Sequence, residues 1–378
     1  MSTLPAAAQV ADLSPYEGIV LVSFGGPERT EEVMPFLRTV TRGRGIPDER
    51  LAEVAEHYYH RGGRSPINDE NRALLAALQG ELGRRGVRLP LLWGNRHAPP
   101  TIDEAFDQAR ERGLRRLVAV LTSAYSSYSS CRAYREEIDA AAERSDLDVQ
   151  TVRRYHNHPG FSRTVADLVI QHTREVMAHL PGGSEVGDVA RRVRLVFVTH
   201  SIPLTMDAGS GPPHGPGHVY RTQHETLAAA VSVEVGRALG VPVLGDLAYC
   251  SRSGPPSQQW LEPDVSDHLR ELAASGVRAV VLVPFGFVAD HMEVVYDLDE
   301  EAMQTAAQLG LHAVRVPTVR TEPGFVRGLV DLLEERAAQA RGESVTPATW
   351  PPGTAWPAQC WPDCCPAPKR PGAGDPPR

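Results

Sequence analysis

The 378-residue chain has almost no lysine: Lys369 is the one example, so arginine carries nearly all of the positive charge. Acidic residues outnumber basic ones by 47 to 39, and the formal net charge at pH 7 is −8. A protein that binds nucleic acid non-specifically needs a basic surface. The charge balance therefore argues against that class of function.

The chain also lacks long apolar runs and a targeting segment. No stretch of about 18 apolar residues is present, so no helix is predicted to span a membrane. The N-terminal sequence MSTLPAAAQVADLSPYEG has neither a basic start nor a long apolar core, which argues against a secretory signal. Hydrophobic residues make up 42% and charged residues 23% of the chain, as in ordinary soluble globular proteins. We therefore expect a cytoplasmic protein.

Cysteine is scarce in the body of the chain and concentrated in its tail. Cys131 and Cys250 lie in the body, whereas the other three cysteines fall within residues 360–365. In a cytosolic protein a cysteine cluster more often binds metal or carries out redox chemistry than forms disulfides. From Val345 onward the tail is rich in proline and cannot form helix or sheet unaided, so we expect something else to order it.

Short apolar runs alternate with longer amphipathic stretches over the body of the chain. This alternation predicts an α/β fold in which helices cover a parallel sheet. The predicted strands are 18–24, 89–95, 116–124, 193–201, 242–250 and 279–287. The predicted helices include 101–113, 160–180, 222–240, 262–276 and 322–340.

The predicted architecture nearly repeats itself. IVLVSFGGP has a counterpart in LVFVTHSIP, and LVAVLTSAYSS is echoed by AVVLVPFGFVADH. We predict two doubly wound parallel-sheet domains, 15–160 and 161–342, followed by a Pro/Cys-rich tail, 343–378. Ligands of such sheets bind beyond the carboxyl ends of the strands, so the loops at those ends are expected to line one cleft between the halves.

His200 ends one of the most apolar predicted strands and is expected to face this cleft. Imidazole can accept a proton or bind a metal near neutral pH. The chain has 14 histidines, however, and a histidine at a strand end could equally hold its loop by a hydrogen bond. Both interpretations of His200 stay open at this stage.

A stripe of carboxylates follows the strand 279–287. Glu293, Asp297 and Glu301 are spaced four apart, and His291 lies beside them. In a regular α-helix such residues drift around the axis by about 40° per step, whereas a π-helical widening would keep them in line. On an ordinary acidic helix, such residues simply form a face that is exposed to solvent. Paired with an imidazole from the facing half, this stripe would instead offer a mixed nitrogen and oxygen site for Fe(II) or a similar metal.

Five motifs, in this order, resemble those of ferrochelatases, which insert Fe(II) into a porphyrin: LVSFGGPE, RGGRSPIN, VTHSIP, YCSRSGPP and FVADHMEVVYDLDEE. The resemblance extends over residues 17–340 and implies two Rossmann-like domains around a porphyrin cleft. It implies that His200 and Glu293 are the catalytic pair at the metal-insertion site. It also implies that Asp297 and Glu301 form an acidic line leading to that site, so that all four residues would contact the metal.

The chemistry of metal insertion fits such a pair. Two pyrrole N–H protons must leave and Fe(II) must lose its water, and a neutral imidazole can accept a proton or ligate the metal. We expect the imidazole of His200 and the carboxylate of Glu293 to meet across a gap the width of a flat tetrapyrrole. Which of the two takes protons and which carries iron is left open.

Ser65 and Tyr134 resemble substrate-contacting positions of the family, and Arg42, Arg44 and Phe24 are further candidates for porphyrin binding. Arg42, Arg44 and the additional candidate Arg64 could pair with porphyrin carboxylates, although exposed arginines are common in this chain. Phe24 departs from the pattern, because some family members that act on coproporphyrin have a tyrosine there that can ligate iron. Phenylalanine cannot do so.

The cysteine tail also has a counterpart in the family. Many ferrochelatases hold a [2Fe-2S] cluster with three cysteines of a C-terminal extension and one from the body. The resemblance implies this cofactor here, and four thiolates would complete it. The implied ligands are Cys131, Cys360, Cys364 and Cys365. The alternative is a disordered tail with incidental thiols, and Cys250 is expected to be a small buried residue.

The resemblance thus implies a ferrochelatase, a lyase of haem biosynthesis with Fe(II) as a substrate. Coproporphyrin III is the expected porphyrin, because the tail resembles that of high-GC Gram-positive members and no apolar, membrane-facing lip is evident. A coproheme decarboxylase would then be a transient partner. Three alternatives stay open: a protoporphyrin IX ferrochelatase, a cobalt or nickel chelatase, and a non-catalytic haem or iron–sulfur sensor on the same fold.

Overall fold

The computed structural model describes residues 10–43, 45–179, 186–253 and 257–368. Eight parallel strands form two four-stranded sheets, with the orders β2-β1-β3-β4 and β6-β5-β7-β8. The first sheet contains β1 (Gly18–Ser23), β2 (Leu91–Asn95), β3 (Arg116–Leu121) and β4 (Asp148–Thr151). The second contains β5 (Val193–His200), β6 (Leu244–Cys250), β7 (Ala279–Val283) and β8 (His312–Arg315). The matching orders confirm the α/β fold and its architectural repeat.

Helices connect the strands in both halves. In the first half they are α1 (Thr30–Val40), α2 (Asp48–Tyr59), α3 (Ile67–Arg84), α4 (Ile102–Glu111) and α5 (Ala133–Ser145). The chain then continues through α6 (Pro159–Ala178), α7 (Val186–Arg192), α8 (Leu204–Ala208), α9 (Val219–Leu239), α10 (Val265–Ala274), α11 (Met292–Val294), α12 (Met303–Gln308) and α13 (Pro323–Ala340). None of the helices in the described ranges is long and apolar enough to cross a membrane.

The central strands are apolar because helices cover both faces of each sheet. Every residue of β1 and of β7 is buried. The sequence prediction missed β4 and β8, which are the short edge strands of the two sheets. Each has only four residues and is partly exposed, so neither carries the apolar run that identifies a central strand.

The two halves pack together through their helices. α13 contacts both α6 and α3, the latter a helix of the first half. Gly160 of α6 lies directly against Gly328 of α13, and a Cβ atom on either glycine would collide with the backbone of the other. This close approach fixes α13 against α6.

Two π-helical segments occupy corresponding places in the repeat. One, Tyr128–Arg132, follows β3 and leads into α5. The other, Val295–Ala302, follows β7 and joins α11 to α12. The second segment confirms the widening that the spacing of the carboxylates predicted. Such widened turns occur often at functional sites.

The proline-rich tail after α13 has no helix or strand in the part that the structure describes, residues 343–368. Its backbone is tied to the body by hydrogen bonds. The Trp350 amide donates to the Asn157 carbonyl at 2.8 Å, and the Arg153 guanidinium donates to the Ala348 carbonyl at 2.7 Å. Arg153 is itself buried and pairs with Glu335 of α13 at 2.8 Å. The body therefore orders the tail, as expected.

Candidate active site

His200 is the last residue of β5 and lies half-buried at the carboxyl edge of the second sheet. Its Nδ1 atom is 3.4 Å from the carbonyl oxygen of Cys250, the residue that it faces in the β5–β6 register. The hydroxyl of Tyr220 donates a hydrogen bond to the His200 carbonyl at 2.8 Å. These contacts fix the backbone and one ring nitrogen at the strand end.

The carboxylate stripe begins in α11 and continues through the second π-helical segment. Glu293 and Glu301 are exposed, whereas Asp297 between them is half-buried. Both glutamates act electrostatically on Asp297, so the three carboxyl groups lie near one another. The stripe therefore has two carboxyl groups in solvent and, between them, one that is partly shielded from solvent.

Asp297 has the most strongly perturbed carboxyl group of the stripe. Burial raises its pKa to about 7, and the carboxylates of Glu293, Glu301 and Asp264 add to the rise. The Ser251 hydroxyl, which donates a hydrogen bond to Asp297, acts in the opposite direction. A carboxyl group with a pKa near neutrality can both take up and release a proton at physiological pH.

His291 lies beside both members of the predicted pair. Its Nδ1 atom is 3.9 Å from a carboxylate oxygen of Glu293. Burial lowers the pKa of His291, repulsion from His200 lowers it further, and the charge of Glu293 opposes both. The structure thus gathers two imidazoles and a carboxylate at adjacent strand ends of the second sheet.

The expected origin of the imidazole needs correction. His200 is the last residue of β5, and Glu293 comes after β7, which is the direct neighbour of β5 in the same sheet. The interpretation that the imidazole comes from the opposite half is therefore wrong. The near repeat of the two halves made a pairing across the cleft plausible, but the strand order places both groups at one edge.

The first half faces the stripe with α2 instead. The ring of His57 stacks on Tyr296 of the π-helical segment with centroids 3.7 Å apart. Arg61, just beyond α2, pairs with Glu300 at 2.6 Å. These contacts bring the two halves together along the stripe.

An apolar wall lies beside the same contacts. Phe24, Phe36 and Tyr58 of the first half form one hydrophobic cluster with Met292 and Tyr296 of the second. Burial raises the pKa of Tyr58 far above its ordinary value, and the charges of Glu293 and Asp297 add to this effect. Phe24 and Tyr296 are partly exposed members of this cluster. An apolar surface next to an imidazole and carboxylates suits a flat aromatic ligand whose centre is polar.

The predicted metal residues do not form a closed ligand shell. In the described parts of the chain, no three His, Cys, Asp or Glu side chains are arranged to hold a single metal ion. His200, Glu293, Asp297 and Glu301 instead form a series of neighbouring groups.

The predicted substrate contacts are in different surroundings. Ser65 is buried, and its amide donates to the Pro27 carbonyl at 2.9 Å. Tyr134 is buried beneath the Arg96 guanidinium, which lies 4.5 Å from the ring centre. Phe24 is half-buried.

The arginine candidates are less constrained. Arg42 is exposed, and Arg64 pairs with Asp69 on the surface. Arg44 lies outside the residues that the structure describes. Arg42 and Arg64 are therefore surface residues, and Arg64 already has a carboxylate partner.

The four predicted cluster cysteines come together in a chain of thiol contacts. A hydrogen bond with the Cys365 thiol is the main cause that lowers the pKa of Cys131 to about 7. Cys364 forms thiol hydrogen bonds with both Cys360 and Cys365, and the bond with Cys360 is the main cause that lowers its pKa. Cys131 comes from the first π-helical segment, and the other three come from the tail.

Hydrogen-bond donors surround these sulfurs. The Gly211 amide donates to Cys365 Sγ at 3.2 Å, and the Trp356 indole donates to Cys360 Sγ at 3.2 Å. The Arg135 guanidinium lies 3.8 Å from Cys364 Sγ. Such donors stabilise negative charge on sulfur, so the donor set suits a group that is bound by thiolates. Cys250 is separate: it is buried, and burial raises its pKa well above the ordinary value.

Comparison with known proteins identifies the family. The ferrochelatase family model matches residues 16–337. The chain belongs to the ferrochelatase family. A relative from Leifsonia xyli subsp. xyli, named coproporphyrin III ferrochelatase, is 48% identical over 97% of this chain and 96% of its own. A protein of the same name from Streptomyces coelicolor is 45% identical over 95% of both chains.

Solved structures give a weaker likeness. The structure described as SirB from Bacillus subtilis with Fe3+ aligns at a TM-score of 0.48 with 11% identity, over 86% of this ferrochelatase and 97% of SirB. This likeness is too distant to bear on the residues of the site.

Sequence analysis missed two partners of Asp297 in this ferrochelatase. Ser251 lies in the YCSRSGPP motif, just after β6, and adopts a left-handed backbone conformation with φ of 61°. Asp264 caps the N-terminus of α10. Both come from segments far from the stripe in sequence, so spacing along the chain could not connect them to it.

Proposed function

We propose that this ferrochelatase inserts Fe(II) into coproporphyrin III, giving coproheme and two protons, as a lyase of haem biosynthesis. The observation that carries the proposal is the gathering of His200, His291 and Glu293 next to Asp297, whose pKa is about 7. The names of the relatives from Leifsonia and Streptomyces favour coproporphyrin III as the porphyrin.

His200 and Glu293 would act on the centre of the porphyrin. As a pyrrole nitrogen loses its proton, a neutral imidazole can accept it, and a carboxylate can accept the second proton or guide Fe(II) to the nitrogens. His200 is half-buried at the sheet edge, and Glu293 is exposed to solvent.

Asp297 and Glu301 would connect this centre with solvent. Burial raises the pKa of both carboxyl groups, more strongly for Asp297, which is the less exposed. A proton that reaches Asp297 can leave again near neutral pH, because the protonated and ionised forms are then similar in free energy. The same open row of oxygens can pass a hard divalent cation in the opposite direction.

The porphyrin itself would lie against the apolar wall that includes Phe24. Coproporphyrin has four propionates, and Arg42 and Arg44 would pair with them through two parallel hydrogen bonds each. Ser65 and Tyr134 would shape the pocket from the first half. Because Phe24 has no oxygen, we do not expect the protein to ligate the iron of the product from that residue.

We further propose a [2Fe-2S] cluster held by Cys131, Cys360, Cys364 and Cys365. The contacts among the four thiols and the donors around them support this cofactor. Bound there, the cluster would supply a redox-active centre and a covalent link between the tail and the first half.

We also propose the domain boundaries, one partner protein and the cellular compartment. The domain boundaries at 15–160, 161–342 and 343–378 follow the two sheets and the tail. Coproheme would pass to a coproheme decarboxylase by transient contact. The reaction would take place in the cytoplasm.

An anaerobic insertion assay tests the proposed reaction. Purified protein is mixed with Fe(II) and either coproporphyrin III or protoporphyrin IX, and the product is identified by absorbance and mass. We expect coproheme to form with the higher kcat/KM. A preference for protoporphyrin IX would favour the alternative substrate, and faster insertion of cobalt or nickel would favour another chelatase. Bound porphyrin without any insertion would indicate a sensor.

A further inference from the structure

An ion-pair network lies behind the carboxylate stripe and is not used in the reaction described above. Its centre is Arg315, the last residue of β8, whose side chain is only 15% exposed. The guanidinium bonds two carboxylates at once. It donates to Asp290 at 3.2 and 3.1 Å and to Asp299 at 2.7 and 2.9 Å. Arg315 thus uses all three of its nitrogen atoms.

The two carboxylates flank the metal-handling residues in sequence. Asp290 immediately precedes His291 and the start of the helical run that carries Glu293. Asp299 belongs to the π-helical segment and lies two residues after Asp297. Residues two apart in a helix point to opposite sides, so Asp299 anchors the side of the segment that faces away from the stripe.

Asp290 is held by more than Arg315. Its side chain is 3% exposed, and it also accepts hydrogen bonds from Thr318 at 2.9 Å and from Arg320. Burial alone would raise its pKa, but Arg315 and Arg320 outweigh burial and lower it. Arg320 in turn lies 3.5 Å from Glu70 of α3, a helix of the first half. The network therefore joins the loop before His291 to both halves.

The stripe needs such an anchor because its own charges oppose its alignment. Glu293, Asp297 and Glu301 are like charges on one face, and like charges at this spacing destabilise a helix. Arg315 bonds Asp290 and Asp299, neither of which is a carboxylate of the stripe. The contribution of Arg315 is geometric: it holds the residue before His291 and a residue inside the π-helical segment.

We propose that Arg315 is a positioning residue for iron, which holds His291, Glu293 and Asp297 in line through its paired contacts with Asp290 and Asp299. The inference rests on the proposed iron-insertion function. Residues that orient metal-binding groups typically change metal affinity or activity by 10–100-fold when they are replaced. Lysine cannot replace the planar guanidinium group of Arg315, because a single ammonium group cannot bond both carboxylates in this way.

The test compares Arg315→Lys with wild type in three measurements. These are the affinity for Fe(II) alone by anaerobic equilibrium dialysis with labelled iron, the affinity for coproporphyrin III by fluorescence quenching, and steady-state insertion. We expect about 10–100-fold weaker Fe(II) binding and a similar loss in kcat/KM for Fe(II). Coproporphyrin affinity should stay the same. Arg144→Lys is the matched control, because Arg144 bonds Asp103 with two nitrogens on the outer helices of the first half.

The affinity measurements separate this inference from the proposed reaction. A wild-type protein that inserts no iron would overturn the reaction, while the Fe(II) affinities of wild type and variant still decide the role of Arg315. Equal Fe(II) affinities, or a parallel loss of coproporphyrin binding, would overturn the positioning role. If Arg315→Lys does not fold, the Asp299→Asn variant replaces it in the test, because it removes the ion pair between Arg315 and the π-helical segment. Unchanged Fe(II) affinity in that variant would also overturn the proposal.

Discussion

The perturbed carboxyl group of Asp297 makes a measurable prediction about stability. In the folded protein burial raises its pKa from 3.8 to about 7, so folding favours the protonated form. The stability that this group contributes is therefore complete below pH 4 and is lost as the pH rises through 7. Asparagine cannot ionise, and it keeps an acceptor for the Ser251 hydroxyl. The Asp297→Asn variant should thus gain stability over wild type as the pH increases.

The size of the effect follows from the shift. About three pKa units correspond to roughly 4 kcal/mol if the whole shift appears in the free energy of unfolding. Asp297 is half-buried, so solvent reduces this figure, and we expect about 1–2 kcal/mol between pH 5 and pH 8.

Urea unfolding of both proteins at several pH values measures the difference directly, because the other titrating groups are common to both. Asp267→Asn is the control for loss of a charge, since the Asp267 side chain is 69% exposed on α10. A difference between Asp297→Asn and wild type that does not change from pH 5 to pH 8 would refute the perturbed carboxyl group.

Three further predictions concern the reaction and the cofactor. His200→Ala should abolish iron insertion but retain porphyrin binding by fluorescence, and normal turnover would contradict its role. Glu293→Gln should lower kcat by about 100-fold or more in steady-state assays, as loss of a general base does, and an unchanged rate would remove it from the mechanism. Cys131→Ser should lose the visible absorbance and bound sulfide of a cluster purified anaerobically, whereas Cys250→Ser should keep both. Equal effects of the two cysteine variants would contradict the ligand assignment.

Local sequence patterns predicted the central part of the fold. The fully buried strands β1 and β7 are read directly from apolar runs, and the repeat of these runs predicted the repeat of the sheets. The short edge strands β4 and β8 were missed, because four partly exposed residues give no comparable signal. The spacing of the carboxylates predicted the π-helical segment, because a regular α-helix does not keep residues four apart in line.

Contacts between distant segments limited the prediction of the site. The stripe itself is a local pattern and was recognised. Ser251 and Asp264, which change the pKa of Asp297, come from segments that follow β6 and begin α10. Arg315, which bonds Asp290 and Asp299, comes from β8. The sequence pattern assigned His200 to a strand of the second half. That His200 lies next to the segment after β7 depends on the strand order, however. Strand order is set by packing of the whole sheet and is not encoded in any one motif.

A crystal structure with coproporphyrin III bound tests the central claim most directly. We predict that His200 and Glu293 will be the polar side chains nearest to the four pyrrole nitrogens, with the macrocycle against Phe24 and Met292. A porphyrin bound elsewhere, or one whose nitrogens face neither His200 nor Glu293, would contradict this account of the site.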